Sequence, residues 1–404
     1  MSVKNNTIYY TVQKSQFEDE WKKLRSEHPA VIYGREKQVM TEIWQLDLKS
    51  WRSELVTSLQ SVVTSLSVAP DGKKFAFVSK PDTTLLKGEG WSAVEIFDFA
   101  SRKLSLQTKP DWRMNHHSPY GWLENVCWSA DSKLLAFTID FDGYPAEILI
   151  SDPANEKLYQ LNRPFQVSLN AGTLNWQGAS GRLCFMAADH GRRRVYSVSA
   201  AEKVPVNDAK ILTPGDVVID QYSFDRSGKM LVVSMNTPEA PQDLYSVTGK
   251  KAAYKQLTKI NPQIDTWEIP QISTISWKGA LNDQVEGILM LPPDYRSGRA
   301  LPLIVSIHGG PTSAANFSFY YGYGGEALFT ARGFAVFLPN YRGSTGYGDE
   351  FMIQLIGNEN NLDVEDILTG VDALVEQGVA DPGRMAVMGW SNGGYLTNCI
   401  ITKT

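Results

Sequence analysis

Ser391 stands in the run Gly389-Trp390-Ser391-Asn392-Gly393-Gly394, with a glycine two residues to either side. A serine hydroxyl becomes a nucleophile only when a base takes its proton and the backbone presents the oxygen outward. Residues without side chains on both flanks permit the sharp turn that does this, and the chemistry is acyl transfer through a covalent acyl-enzyme. The pentapeptide arises by chance about 0.2 times in a chain of this length and composition, so its setting must carry the inference. The plainer role for Ser391 is a helix N-cap.

A second cluster is His308-Gly309-Gly310-Pro311, directly after the apolar run Leu303-Ile304-Val305-Ser306-Ile307. Glycines at that place let main-chain N–H groups approach a substrate and receive the negative charge that develops on a carbonyl oxygen under attack. The expected oxyanion donors are the amide of Asn392, just after the nucleophile, and an amide from Gly309 or Gly310. An ordinary turn is the plainer reading of these glycines.

The elements that must hold these groups alternate between strand and helix. Val285 to Met290 reads as a strand closed by Pro292-Pro293, and Leu303–Ile307, Phe334 to Leu338 and Met385 to Met388 read as short apolar strands buried on both faces. Between the last two, Val364, Ile367, Leu368, Val371, Leu374 and Val375 mark an amphipathic helix. Asp363, Glu365 and Asp366 suit its first turn, and Gly378 its close. The alternation predicts a parallel sheet in an α/β layer, and strand, elbow and helix in sequence at Ser391 are the order found at the carboxyl edge of an α/β-hydrolase sheet.

The preceding part is a repeat. A β-type run, a tight turn with Gly or Ser beside Lys or Arg, and a second β-type run recur with turns at Gly72, Ser132, Gly181 and Gly228, separated by 60, 49 and 47 residues. Those intervals fit one four-stranded propeller blade each. Runs at 93–98, 146–151 and 243–247 are expected to be the outer strands, and Ile43 to Asp47 the outer strand of a further, incomplete blade. Four blades plus a partial one are predicted. Phe17, Trp21 and Leu24, with Glu18 four residues before Lys22 and Asp19 before Lys23, predict a short surface helix ahead of them. The boundary is placed after residue 265, giving propeller blades over 1–265 and the catalytic layer over 266–404.

Composition narrows the partners. The chain has 404 residues, about 2.7 domains' worth, with net charge −5, 43 % hydrophobic and 21 % charged residues. That is globular composition, without the basic footprint of a nucleic-acid binder. Neither an apolar run long enough to cross a bilayer nor a secretory leader at Met1 is expected, which places the protein in the cytoplasm if Met1 is the true start. Cys127, Cys184 and Cys399 are expected to be buried free thiols. His116-His117 reads as surface rather than metal-binding, and no metal or cofactor is expected.

The His-Gly-Gly-Pro turn, the segment Asn340-Tyr341-Arg342-Gly343-Ser344-Thr345-Gly346-Tyr347-Gly348, the acidic helix start and Gly-Trp-Ser-Asn-Gly-Gly-Tyr together resemble the prolyl oligopeptidase family of serine peptidases, in its acylaminoacyl-peptidase and dipeptidyl-peptidase-like branch. The resemblance is tight over 280–404 and loose over 1–260. It implies a β-propeller covering an α/β-hydrolase active site that admits short peptides, with Ser391 as nucleophile, Asn392 and Gly310 as oxyanion donors, and Arg342 structural; a homo-oligomer is compatible with it. In the family the triad runs Ser, Asp, His along the chain, yet no Asp or His follows Ser391; the histidines are His28, His116, His117, His190 and His308. With fewer blades than the family's seven or eight, this implies a fragment truncated at the carboxyl end after the elbow and at the amino end, inactive by itself, with the catalytic Asp and His expected beyond Thr404. A carboxylesterase, which uses the same elbow, and a non-catalytic propeller binding module are the alternatives.

Overall fold

The computed structural model describes the chain except residues 1, 5, 18, 31–36, 81–91, 109–111, 119, 204, 206, 207, 250, 251 and 320–323. Up to Gln256 the regular structure is almost wholly antiparallel strand, in five successive units. The first is a four-stranded sheet of Ser2–Lys4, Thr7–Phe17, Lys37–Asp47 and Arg52–Leu59. The second and third, within 62–106 and 122–161, are four-stranded as well. The fourth and fifth, within 168–211 and 218–256, are joined into one nine-stranded sheet by a single parallel bridge between Arg193 and Val218.

The predicted turns at Gly72, Ser132 and Gly228 connect the first two strands of their units, and Gly181 joins the two-residue strand Asn175–Trp176 to Arg182–Asp189. Gly72, Ser132, Gly181 and Gly228 take φ of 73°, 63°, 70° and 72°, a left-handed conformation that glycine adopts without cost. Ser132 is the exception among them, and its Oγ accepts the Asp71 N–H of the preceding unit at 2.9 Å. Similar stitches recur at the unit spacing: Trp128 Nε1–H to Ser67 O, Trp176 Nε1–H to Cys127 O and Tyr222 O–H to Thr173 O, at 3.2, 3.1 and 2.6 Å. Each neighbouring pair of units also shares one apolar cluster, such as Val78 and Ile96 with Leu123 and Trp128. A single unit cannot bury its own apolar face, so stacking supplies the core.

Several expectations are corrected. The strands at 93–98, 147–152 and 243–248 are third, not outermost; short strands at Lys103–Leu106, Lys157–Leu161 and Ala253–Gln256 lie beyond them. These were missed because the outer edge is largely exposed and needs no apolar alternation. Likewise the segment 43–47 belongs to the third strand of a complete four-stranded unit, so the partial blade is a whole sheet. No ladder joins the fifth unit back to the first among the described residues. A helix does occupy Asp19–Glu27, with Lys23 near Glu27 at 3.9 Å, while Glu18 and the side chains of Phe17, Asp19 and Trp21 lie outside the description.

His116 is not a surface residue: it and His117 both face the buried Glu147 carboxylate, His117 Nε2 at 3.3 Å. Cys184 is buried, whereas Cys127 and Cys399 are partly exposed. Arg192-Arg193-Arg194, three consecutive cations, pair with Asp216, Asp220 and Asp189 respectively. Among the described residues no helix is long and apolar enough to cross a membrane.

After a short 3-10 turn at Pro262–Thr266 comes a five-stranded sheet. Its order in space is Gln271–Lys278, Gln284–Leu291, Ala335–Asn340, Leu301–Ile307 and Ala380–Gly389; the first two pairings are antiparallel and the last two parallel. The leading strand had no counterpart among the sequence expectations, although Ile272, Ile275 and Trp277 alternate loosely with polar residues. Leu303, Val305 and Phe337 pack on one face against Val364, Ile367, Val371 and Leu374 of helix Leu362–Glu376, while Ile304, Val336 and Leu338 fill the other face. Burial on both faces explains the unbroken apolar runs. Gly378 closes the helix at φ 71°, with Gly378 N–H to Val375 O and Val379 N–H to Leu374 O, a Schellman ending.

Candidate active site

Three loops leave the carboxyl ends of neighbouring strands: residues 308–319 after Leu301–Ile307, 341–348 after Ala335–Asn340, and the elbow after Ala380–Gly389. Parallel pairing puts these ends on one edge of the sheet, which brings residues more than 80 positions apart in sequence into one site.

Ser391 has φ 53° and ψ −120°, outside the regions a serine adopts freely, and helix Asn392–Lys403 begins at the next residue. Although it occupies the N-cap position, its side chain makes no capping hydrogen bond. The hydroxyl has no partner among the described residues, and the residue is exposed. The plain N-cap role is thereby set aside. The flanking glycines are sterically required: a Cβ on Gly389 would lie 2.2 Å from Gly393 O, and one on Gly393 would lie 2.1 Å from Ile307 O.

Gly309 abuts the elbow, since a Cβ there would meet Trp390 O at 2.9 Å and Ser391 Cβ at 3.1 Å. The two motifs recognised separately in sequence are therefore in van der Waals contact. Gly310 has φ 130°, which favours glycine, and precedes a cis bond to Pro311. Asn392 lies in the first turn of its helix, where backbone N–H groups have no intrahelical acceptor.

Tyr341 ties the three loops and was missed as a site residue. Its hydroxyl donates to His308 O at 2.8 Å and accepts from Asn392 Nδ2 at 3.2 Å, and its ring stacks on His308 at 4.4 Å. The available signal was a tyrosine placed immediately after a buried strand, inside the Asn340 to Gly348 segment.

His308 is enclosed. Its Nδ1 lies 2.8 Å from Gly309 O and its Nε2 3.0 Å from Ser344 Oγ. Burial lowers its pKa to about 4, opposed by the Gly309 carbonyl, so the ring is neutral near pH 7. The folded state thus excludes a proton that the unfolded state takes up near pH 6.5. Stability accordingly rises with pH between about 4 and 6.5 and is lost as pH falls through that window. Urea titrations of the wild type and of His308→Gln across pH 4 to 7 check this: the difference between them should grow towards neutral pH, and a pH-independent difference would remove His308 as its source.

Arg342 is fully buried and donates to Asp283 Oδ2 at 2.9 Å, Ala280 O at 2.8 Å, Asp366 Oδ2 at 3.4 Å and Gln354 Oε1. Asp366, read from sequence as a helix-dipole partner, is itself wholly buried and also accepts the Arg342 and Ala280 N–H groups at 2.9 and 2.8 Å. Arg342 therefore has the structural role expected of it.

The antiparallel units touch this edge. Arg163 grips both Asp349 carboxylate oxygens at 3.0 Å, Gly346 N–H donates to Ser168 Oγ at 2.8 Å, and His190 N–H to Gly346 O at 2.9 Å. Among the described residues no three His, Cys, Asp or Glu side chains are arranged to hold a metal ion.

Residues 323–404 match the model of the prolyl oligopeptidase family. The chain is 26 % identical over 373 residues to dipeptidyl aminopeptidase BIII of Pseudoxanthomonas mexicana, covering 90 % of this chain and 51 % of that protein. It is 29 % identical over 235 residues to the acylamino-acid-releasing enzyme of Sus scrofa, covering 55 % of this chain and 31 % of that protein. The chain thus spans about half the length of the first of these relatives and about a third of the second. Among solved structures it resembles a puromycin-hydrolyzing peptidase of Mycobacterium tuberculosis, with TM-score 0.65 and 19 % identity, covering 99 % of this chain and 59 % of the other. The structures it resembles combine a propeller with an α/β-hydrolase layer.

Proposed function

We propose, from the premise that residues 323–404 of this chain belong to the prolyl oligopeptidase family, that the protein is a serine peptidase hydrolysing short peptides with Ser391 as nucleophile. In this reading Ser391 Oγ attacks the acyl carbon of the scissile bond. The developing oxyanion is received by the N–H of Asn392 with that of Gly309 or Gly310, the amine product leaves, and water releases the acyl group. Among the described residues no histidine is bonded to Ser391: His308 is taken up by Gly309 and Ser344, His116 and His117 face Glu147, and His190 lies 3.0 Å from Glu286. In this reading the general base that activates Ser391, and the carboxylate that orients it, are groups other than these histidines.

The observation that carries the reading is the contact of Gly309 with Trp390 and Ser391, because an oxyanion site must lie beside the nucleophile. The antiparallel units, docked on the same edge through residues 163–168 and 188–191, restrict access to short, flexible substrates. A carboxylesterase would use the same machinery. Turnover of an aminoacyl-anilide by the complete enzyme, against that of a short acyl ester, separates the two: preference for the ester would overturn the peptidase reading. Absence of turnover on both, together with no fluorophosphonate labelling of Ser391, would leave a binding module.

Gly309→Ala is expected to lower kcat by about 100-fold with a smaller change in KM, because the added methyl presses on Trp390 O and Ser391 Cβ where the transition-state charge is received. Steady-state kinetics of the folded variant check it; an unchanged kcat would detach this turn from catalysis.

A further inference from the structure

The loop that begins with Gly309 and Gly310 is fixed at three later points. Ser313 O accepts the Thr345 N–H at 2.9 Å. Ala315 is clamped through both its N–H and its carbonyl by the Asn340 side-chain amide, at 2.7 and 3.0 Å. The third point is Phe317, and it is held from the other part of the molecule: its N–H donates to Gly191 O at 2.6 Å, and the Arg192 guanidinium lies over its ring at 4.4 Å.

Gly191 and Arg192 belong to the tip of the hairpin between strands Arg182–Asp189 and Arg192–Ser199 of the fourth unit. The tip is built to be rigid. Asp216 fixes Arg192 through Nε and Nη2 at 2.9 and 2.8 Å, and Arg192 Nη1 donates back to His190 O at 2.7 Å. His190 N–H reaches Gly346 O, its ring sits 5.1 Å from that of Tyr347, and its Nδ1 lies 3.0 Å from Glu286 of strand Gln284–Leu291. The Tyr347 hydroxyl in turn accepts from Asn340, the residue that clamps Ala315. The fit is close on both sides: a Cβ on Gly191 would stand 3.4 Å from Ala315 O, and one on Gly346 would stand 3.0 Å from the backbone of Ala188 and Asp189.

We infer that the hairpin tip Asp189 to Arg192 is a positioning element for the oxyanion turn, with Arg192 as a positioning residue that anchors Phe317 and thereby the loop carrying Gly309 and Gly310. The inference rests on the peptidase reading above. It assigns the fourth antiparallel unit a part in catalysis besides covering the site, since small displacements of charge-stabilising donors cost much in rate.

The test uses the complete enzyme with Arg192→Ala, Arg192→Lys and Phe317→Leu, each first confirmed folded by circular dichroism. Steady-state kinetics on an aminoacyl-anilide are combined with amide hydrogen exchange over residues 309–340. Arg192→Ala and Phe317→Leu should lower kcat on the order of tenfold to a hundredfold with KM changed less than twofold. Exchange should quicken at residues 312–317 and stay unchanged in strand Ala335–Asn340. Arg192→Lys, which keeps a cation over the ring, should recover part of the loss. An unchanged kcat in both folded variants, a rise in KM alone, or unaltered exchange at 312–317 would overturn the inference. If the unaltered enzyme turned over no peptide substrate, the peptidase reading would fall, and with it the catalytic role of the tip; the exchange data would still decide whether the tip holds the loop.

Discussion

Ser391→Ala in the complete enzyme is expected to abolish peptide hydrolysis, lowering kcat by roughly 10⁴- to 10⁶-fold, because a nucleophile lost from a triad removes covalent catalysis as a unit and leaves only the oxyanion donors and binding. The geometry makes this sharper than the sequence motif could. Ser391 is held at φ 53° between two glycines whose replacement would collide with backbone, and its hydroxyl serves no capping bond. A serine kept in that conformation without a structural task is the kind of strained residue that functional sites retain. For the same reason the substitution should leave the unfolding midpoint almost unchanged, or raise it slightly. Single-turnover assays and fluorophosphonate labelling check the result. A variant retaining a tenth of wild-type kcat would show that another group carries the reaction.

Arg342→Ala should destabilise the five-stranded sheet by about 3 to 5 kcal/mol, because it strips a wholly buried Asp366 carboxylate of its cation and leaves that charge desolvated. Arg342 also bridges the Asp283 carboxylate, the Ala280 carbonyl and Gln354, and lies 5.2 Å over the Phe351 ring, so cavity and hydrogen-bond losses add to the electrostatic one. Desolvation already raises the Asp366 pKa, with Arg342 the largest opposing influence. Without Arg342 the carboxyl would rise further above its unfolded value. A group whose folded pKa is raised contributes stability at low pH that is lost as pH rises, so the deficit should be larger at pH 8 than at pH 5. Adding Asp366→Asn should recover part of the loss, with a favourable coupling in a double-mutant cycle. A pH-independent deficit, or strictly additive effects, would mean that packing alone explains the arginine.

The elbow, the His-Gly-Gly-Pro turn, the buried strands, the amphipathic helix and the four repeat turns were all legible in the sequence, and the reasons are local. Glycine is demanded where φ is positive or a Cβ would strike backbone, and such demands leave their mark on the chain whatever the rest of the fold does. Strands covered on both faces must be continuously apolar, and a helix covered on one face must repeat near 3.6 residues. The exposed outer strands Lys103–Leu106 and Ala253–Gln256 carry no such demand, and they were missed.

Tertiary structure alone decided the relations between segments. Nothing local in Tyr341 says that its hydroxyl will join His308 O to the Asn392 side chain, because that depends on which strand ends lie side by side. Asp366 has the composition of a helix-dipole residue and becomes a buried counter-ion only because Arg342, from another loop, is folded against it. His116 in a polar stretch gives no sign of facing Glu147 across a sheet edge, and Arg192 in a basic triplet gives none of lying over Phe317. Backbone requirements are written residue by residue, whereas burial and charge pairing belong to contacts between distant residues, which exist only once the chain has folded.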